Sequence, residues 1–420
     1  MTNKASQNRI AGVRWFPVSP HMLQNTSGPA TGGNLTQRLA KGNSMNAPRI
    51  LRFAAALLLI SPTLLQASPY DQTNLVSDVP GLAASTDPNL VNPWGLAFSA
   101  TSPFWVANQG SGTSTLYDGA GNINATVVTI PGNPTPPNGA TGTVFNTSST
   151  FILGDGSKAS FVFDTLGGTI AAWNGGEGTT AVTVATTPGA TYTGLALATN
   201  ASGSFLYAAN SAAGTINVFN SSFAPVALAG NFTDPNLPAG YVPYNIQLIG
   251  SDLYVTYADL GAHGVPVPGS TGFVDVYDTS GNFIDRLVTG GALDAPWGIT
   301  LAPAGFGSFG NDLLVGNFGN GEIDAYNAIN GAFEGTIDGS NGLPLVNLDL
   351  WALDFRTGGA NTNPDALYFT AGIDHQTEGL FGEIVPTPEP APIFLAALGF
   401  LTLALAHRNH VKAPVPAQRT

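Results

Sequence analysis

Six side chains with amide or carboxylate oxygens recur at matching places in this 420-residue chain. Each follows an apolar run, at the point where the second strand of a repeated unit is predicted to end. Oxygen ligands of this kind are the ones that a hard cation such as Ca²⁺ prefers. The sequence therefore predicts a polar ring at the mouth of a channel, made of Asn108, Asp155, Asn210, Asp259, Asn317 and Asp374.

A structural role for the polar ring competes with ligand binding. Asn and Asp often end strands by hydrogen bonding to nearby backbone groups, and they end strands throughout this chain. Asp259 and Asp374 match the common position only if their loops carry one or two additional residues. A cation site requires three or more of the six side chains to converge, and a hydrolase would also need a carboxylate base beside the metal.

Aromatic and titratable side chains offer two further candidate sites. Trp94, Trp297 and Trp351 share one repeat position and could either stack against a sugar or pack between units. Residues 374–378 (Asp-His-Gln-Thr-Glu) form the densest titratable group of the body, either an acid–base pair or a solvated loop. The chain has no Cys and neither a His-Glu-x-x-His nor a Gly-x-Ser-x-Gly motif. Thiolate chemistry is thus excluded, and a Ser–His–Asp hydrolase is poorly supported.

The elements that must position these residues come from an internal repeat of about fifty residues. Similar apolar openings align at positions 94, 144, 195, 246, 297 and 351, so the steps are 50, 51, 51, 51 and 54 residues. A period of this length is typical of solenoids, propellers and arrays. Because each unit is a series of strands joined by Gly, Asn and Asp turns, the sequence predicts an all-β, six-bladed propeller over residues 68–385.

The sixth unit has no room for its fourth strand before a Pro-rich segment begins at residue 385. The segment 72–79, ahead of the first unit, is a strand without companions of its own. We therefore expect this N-terminal strand to complete the last blade, which closes the ring and leaves no unpaired edge.

Charge is distributed unevenly along the chain, whose total net charge is −13. Residues 68–386 carry three Lys or Arg against 25 Asp or Glu, a net charge of −22, whereas both ends are basic. An acidic body repels phosphate backbones, so nucleic acid is not an expected partner. It would attract cations or basic partners, or simply keep an exported protein soluble.

The N-terminal part of the chain predicts export. Residues 45–67 have the layout of a secretory signal peptide, with Arg49 and Arg52 before the apolar run 53–65 and Ala67 before the expected cut. The apolar run is too short for a comfortable membrane span. Since Met45 precedes the signal, residues 1–44 are interpreted as a non-native or disordered extension.

The C-terminal residues 386–420 resemble the PEP-CTERM sorting signal. They contain the triplet Pro388-Glu389-Pro390, a short apolar segment at 391–406 and a basic stop that includes Arg408. The resemblance implies transient anchoring in the inner membrane through a transmembrane helix and cleavage by an exosortase. It also implies a final location at the cell surface or outside a Gram-negative bacterium.

The body is similar to a group of propeller proteins that often carry this tail. The matching stretches are 91–97, 293–299, 311–319 and 367–374, and Pro296-Trp297-Gly298-Ile299 is also similar to NHL repeats, which usually bind partners. The resemblance implies the propeller fold and brings no established activity. The sequence favours a non-catalytic module that binds an extracellular polysaccharide or surface protein. A Ca²⁺-dependent hydrolase of lactonase type and a structural matrix component are the alternatives.

Overall fold

The computed structural model describes residues 69–132, 139–261, 264, 266–267 and 269–388. In this part of the chain, six sheets of mainly antiparallel strands follow one another, so the prediction of an all-β, six-bladed propeller is confirmed. The predicted extension 1–44, the signal peptide 45–67 and the apolar segment 391–406 lie outside the described residues. Within the described ranges, no helix has the length and hydropathy needed to cross a membrane.

Blades 1 to 5 are four-stranded sheets whose strands follow chain order. Blade 1 holds β3 (Pro93–Ala97), β4 (Phe104–Asn108), β5 (Thr113–Tyr117) and β6 (Val128–Thr129). Blade 2 holds β7 (Ala140–Phe145), β8 (Phe161–Thr165), β9 (Thr169–Trp173) and β10 (Val182–Thr186). Blade 3 holds β11 (Tyr192–Asn200), β12 (Gly203–Asn210), β13 (Thr215–Asn220) and β14 (Pro225–Val226).

The remaining blades keep the same pattern. Blade 4 holds β15 (Tyr241–Ile249), β16 (Asp252–Asp259), β17 (Gly272–Tyr277) and β18 (Phe283–Thr289). Blade 5 holds β19 (Pro296–Leu301), β20 (Leu313–Asn317), β21 (Ile323–Tyr326) and β22 (Phe333–Thr336). Blade 6 holds β23 (Leu350–Phe355), β24 (Leu367–Ala371) and β25 (Leu380–Pro386), completed by β1 (Tyr70–Ser77) and β2 (Ser85–Thr86). Short helical turns occur at Gly175–Glu177, Gly307–Phe309 and Ile373–Gln376.

The N-terminal strand closes the ring, as predicted. β1 runs antiparallel to β25, from the pair Tyr70 and Pro386 to the pair Ser77 and Leu380, and it begins two residues before the predicted start. The buried Tyr70 hydroxyl donates to the carbonyl oxygen of Phe306 in blade 5 at 3.1 Å. The closing strand therefore joins blade 6 to its neighbour as well as completing its own sheet.

The first strand of each blade contacts the first strands of both neighbouring blades, so these six strands surround the centre of the ring. The glycine of the repeated opening makes this approach possible. A Cβ atom on Gly95 would lie 2.4 Å from the carbonyl oxygen of Thr141, and one on Gly298 would lie 2.3 Å from that of Trp351. Both distances are shorter than any real contact, so the Trp-Gly pair is a packing requirement of the inner strands.

Candidate functional site

Three tryptophans from blades 1, 5 and 6 meet at the centre of the ring and form what we term the tryptophan plug. The rings of Trp94 and Trp351 stack with centroids 3.5 Å apart, and Trp297 packs edge-on against both, at 6.1 Å and 5.6 Å. Their exposed fractions are 4%, 1% and 3%. Because the ring faces are occupied by one another, the tryptophans pack the centre and are not an open platform for sugars.

The backbone leads into each tryptophan of the plug in the same way. Asn92, Ala295 and Asp349 each lie two residues before a plug tryptophan and have φ values of 45°, 49° and 55°. This left-handed conformation is unfavourable for residues other than glycine. Its recurrence indicates that the same turn directs all three indoles inward. Among the described residues, Trp94 Nε1 is buried without a hydrogen-bond partner, whereas Trp351 Nε1 donates to Asn92 Oδ1 at 3.0 Å.

A cavity of about 480 Å³, the upper cavity, lies over the plug at one entrance of the channel. Its walls come from the starts of the first strands and from the loops that follow the second strands, in all six blades. Aromatic groups are supplied by Trp94, Tyr244, Phe318 and Trp351, and polar groups by Thr191, Thr193, Ser211 and Gln376. A cavity of this volume is typical of small-molecule binding sites.

The described walls of the upper cavity are uncharged. They contain no Asp, Glu, Lys, Arg or His side chain. Burial raises the pKa of the Tyr244 hydroxyl well above its ordinary value, so this group also stays neutral. The cavity therefore suits a neutral ligand that offers both apolar faces and hydrogen-bonding groups.

Four members of the predicted polar ring end second strands, and the three that are Asn are each used inside their own blade. Asn108, Asn210 and Asn317 donate from the amide nitrogen to the side chain seven residues later, in the third strand. The acceptors are Thr115 Oγ1 at 3.0 Å, Asn217 Oδ1 at 3.0 Å and Asp324 Oδ2 at 2.8 Å. These contacts agree with the strand-end role of Asn and leave their side chains turned to the sheet.

The other three members of the predicted ring do not share one position. The placement of Asp155 was wrong, because it lies exposed in the turn between β7 and β8, at the opposite end of blade 2. Thr165 holds the position that Asn108 has in blade 1. Asp259 ends β16 and accepts the N–H of Gly261 at 3.0 Å, whereas Asp374 lies exposed beyond the end of β24.

The predicted convergence of ligand oxygens is therefore not observed in this set. Over the described ranges, no three His, Cys, Asp or Glu side chains group in a way that could hold a metal ion. The described residues therefore contain no cluster of carboxylates that could form the predicted Ca²⁺ site.

The titratable segment 374–378 contributes to the upper cavity through a residue that is not titratable. Asp374, His375 and Gln376 have consecutive positive φ values of 53°, 58° and 65°. Such a left-handed turn is rare, since L-residues adopt this conformation singly. The turn leaves Asp374 and His375 exposed and brings Gln376 into the cavity wall. Sequence reasoning missed Gln376 because an isolated amide carries no motif.

Known relatives were found by sequence, whereas no family model matches the chain. The Uncharacterized protein R648 of Acanthamoeba polyphaga mimivirus is 32% identical over 331 residues, which cover 74% of this chain and 78% of the viral protein. The Uncharacterized protein L690 of the same virus is 30% identical over 338 residues, covering 74% and 84%. Among solved structures, a streptogramin B lyase has 14% identity and a TM-score of 0.44, covering 76% of this chain and 98% of that one.

Proposed function

The chain belongs to the family of the mimivirus proteins R648 and L690, and we propose that it is a non-catalytic propeller that binds a neutral glycan in the upper cavity. The observation that carries this proposal is the composition of the cavity wall. It combines aromatic rings with hydroxyl and amide groups and, among the described lining residues, no charged side chain.

Neutral sugars match this combination of groups. Their C–H faces would pack against apolar lining residues such as Val242 and Phe318, and their hydroxyls would exchange hydrogen bonds with side chains such as Thr193, Ser211 and Gln376. An anionic ligand would find no cation in the described wall and would be repelled by the acidic body. A terminal sugar or a short stretch of extracellular polysaccharide is therefore the proposed ligand.

The same wall favours binding over hydrolysis. Glycoside hydrolysis ordinarily uses two carboxylates that flank the scissile bond, and a lactonase of the metal-dependent kind uses a carboxylate base. The described lining residues include no carboxylate and no histidine. We therefore expect a bound oligosaccharide to be released unchanged.

A blocking substitution at the rim tests the glycan proposal. Ala212 is exposed on the loop after β12 and lines the upper cavity, so Ala212→Trp should fill the entrance without disturbing the core. An array of neutral glycans first identifies the best ligand of the unmodified protein. We expect Ala212→Trp to raise the dissociation constant for that glycan at least a hundredfold, as measured by calorimetry. The neighbouring Ala213 is also exposed but does not line the cavity, and Ala213→Trp should bind like the unmodified protein. Equal affinities in the two variants, or no binding to any neutral glycan on the array, would count against the proposal.

We further propose that the protein is exported by its signal at 45–67 and sorted through its C-terminal signal, which would place the cavity outside a Gram-negative cell. The support lies in the order of the tail and in its junction with the fold, since β25 ends at Pro386 and the Pro388-Glu389-Pro390 triplet follows at once. Exosortase would be the processing partner, and the segment 391–406 would anchor the protein in the membrane before cleavage.

Sorting can be checked with a double substitution in the triplet. Pro388→Ala with Pro390→Ala should leave the full-length protein in the membrane fraction, because the processing enzyme no longer recognises its site. Immunoblotting of cell fractions would show the longer species. Substitution of the nearby Pro414 and Pro416, beyond the basic stop, should leave processing normal. Normal processing of the triplet variant would refute the sorting proposal.

A further inference from the structure

Below the tryptophan plug, the channel between the first strands continues toward the opposite entrance. A narrow compartment of about 20 Å³ lies against Trp297, and a wider lower cavity of about 250 Å³ opens beyond it. The narrow compartment has room for about one water-sized group. The two spaces adjoin each other, because several residues line both of them.

Three polar side chains from three different blades stand at the junction of these two spaces. Thr143 on β7, Gln247 on β15 and Asp354 on β23 each line both the narrow compartment and the lower cavity. Thr143 is 6% exposed, and its buried hydroxyl has no hydrogen-bond partner among the described residues. In the same part of the chain, the Gln247 amide makes no side-chain hydrogen bond, and no side chain donates to the Asp354 carboxylate. Gln247 and Asp354 are half-buried, whereas a fully buried hydroxyl such as that of Thr143 is normally paired, so this hydroxyl lacks a partner.

Asp354 is the one charged side chain in the described walls of the two spaces. Arg356 is its nearest countercharge, but the guanidinium turns to blade 1, where it donates to the carbonyl oxygens of Ser99, at 3.1 Å, and Ser102. It also lies over the ring of Phe98, 4.9 Å from the centroid. Burial raises the pKa of the Asp354 carboxyl to about 7, although the N–H of Phe355 and the charge of Arg356 oppose this shift. Ionisation of this carboxyl is therefore costly, and a cation bound beside it would stabilise the ionised form.

We propose that this junction binds the primary ammonium group of a free aliphatic amine, such as a diamine or polyamine. An ammonium group is water-sized and has three N–H donors. The junction offers three acceptors for them, namely the Asp354 carboxylate, Gln247 Oε1 and Thr143 Oγ1.

The rest of such a ligand is accommodated by the lower cavity. Eight of its described lining residues are apolar, among them Leu96, Phe145 and Leu248, and a methylene chain can lie along them. A single carboxylate is a poor set for Ca²⁺, which takes six to eight oxygens, so an organic cation fits better than this metal. The acidic body, with its net charge of −22 over residues 68–386, would raise the local concentration of amines.

Calorimetric titration of the full-length protein with 1,5-diaminopentane at pH 8 tests this site. We expect saturable binding with one ligand per chain, and Asp354→Asn should weaken it at least tenfold because a charge-assisted hydrogen bond is lost. Asp155→Asn is the matched control, since Asp155 is an exposed carboxylate on the loop between β7 and β8, at the same end of the ring. It should bind the diamine within twofold of the unmodified protein, and 1-pentanol, which lacks the charge, should not bind.

Affinity should also fall between pH 8 and pH 6. Protonation of Asp354 removes the negative charge over this range, whereas the diamine stays fully charged. If Asp354→Asn does not fold, Thr143→Val provides the second variant and should weaken binding at least threefold. Absence of saturable binding at millimolar diamine, or equal affinity in the variants and the unmodified protein, would overturn the proposal. The glycan proposal is unaffected by either result because the tryptophan plug separates the two sites.

Discussion

Deletion of residues 69–78 is expected to lower the midpoint of thermal unfolding by roughly 10 °C or more, or to prevent folding. The deletion removes β1, which supplies the outer strand of blade 6 and buries Tyr70, Leu75 and Val76. Each of these side chains contributes roughly 2 kcal/mol when it is buried. The deletion also leaves β25 as a free edge beside blade 1, which invites association between chains.

Thermal melting followed by circular dichroism, with light scattering for aggregation, measures this effect. The matched control keeps β1 and replaces two exposed side chains on it, Asp71→Ala with Thr73→Ala. This control should melt within about 2 °C of the unmodified protein, since surface substitutions usually have small effects. A deletion variant that unfolds cooperatively at the unmodified temperature would show that β1 does not close the ring.

Trp351→Ala is expected to destabilise the protein by roughly 3–5 kcal/mol. The indole is 1% exposed, stacks on Trp94 and contacts Phe318 with centroids 4.6 Å apart. Its loss also leaves Asn92 Oδ1 without its indole donor. Because the plug separates the upper cavity from the narrow compartment, this substitution should join the two spaces as well.

Urea denaturation gives the free energy of unfolding for this comparison. Trp173→Ala serves as the control, because Trp173 is half-buried at the end of β9, the third strand of blade 2, and packs against Trp105 with ring centroids 4.6 Å apart. Trp173→Ala should lower the free energy of unfolding clearly less than Trp351→Ala does. Equal decreases in the free energy of unfolding in the two variants would contradict the central position of Trp351 in the structure.

The repeat could be read from the sequence because its signals are local. The apolar openings at 94, 144, 195, 246, 297 and 351 all fall on the first strands of their blades. The Trp-Gly pair is informative for a physical reason, since the glycine admits the neighbouring strand and the indole fills the centre. The closing strand was predictable by elimination, because the last unit lacked one strand and the N-terminal segment had no partner.

The position of the second strand in blade 2 could not be read in this way. The apolar run from Phe151 to Leu153 ends before Asp155, as a second strand would, but it forms a small hairpin with a bridge between Ile152 and Lys158. Phe151 has a φ of 62°, which lies outside the range of a regular strand. The pair Asp155-Gly156 is typical of a hairpin turn, and Gly156 has a φ of 83°, but the strand interpretation took Asp155 as a strand end instead. Because this apolar run was interpreted as the second strand, the prediction assigned Asp155 to the wrong end of blade 2.

The upper cavity was also beyond sequence reasoning, although its channel mouth was anticipated. Thr193, Gln376 and Trp94 come together from three blades that are far apart in the chain, and the lining groups share no spacing. Motif reading weighs carboxylates and histidines, whereas the described cavity wall is built from neutral groups. The neutral composition of the cavity wall becomes visible only once the blades are arranged around the ring.

Hydrogen–deuterium exchange with the best neutral glycan tests the central claim most directly, because it maps where the ligand lies. The glycan should slow exchange at the entrance of the upper cavity, in residues 191–193, 211–213, 240–244 and 374–378. Exchange in the outer strands β14, β18 and β22 should stay unchanged. Protection confined to the outer strands or to the lower entrance, or recovery of a cleaved glycan, would contradict a binding site above the tryptophan plug.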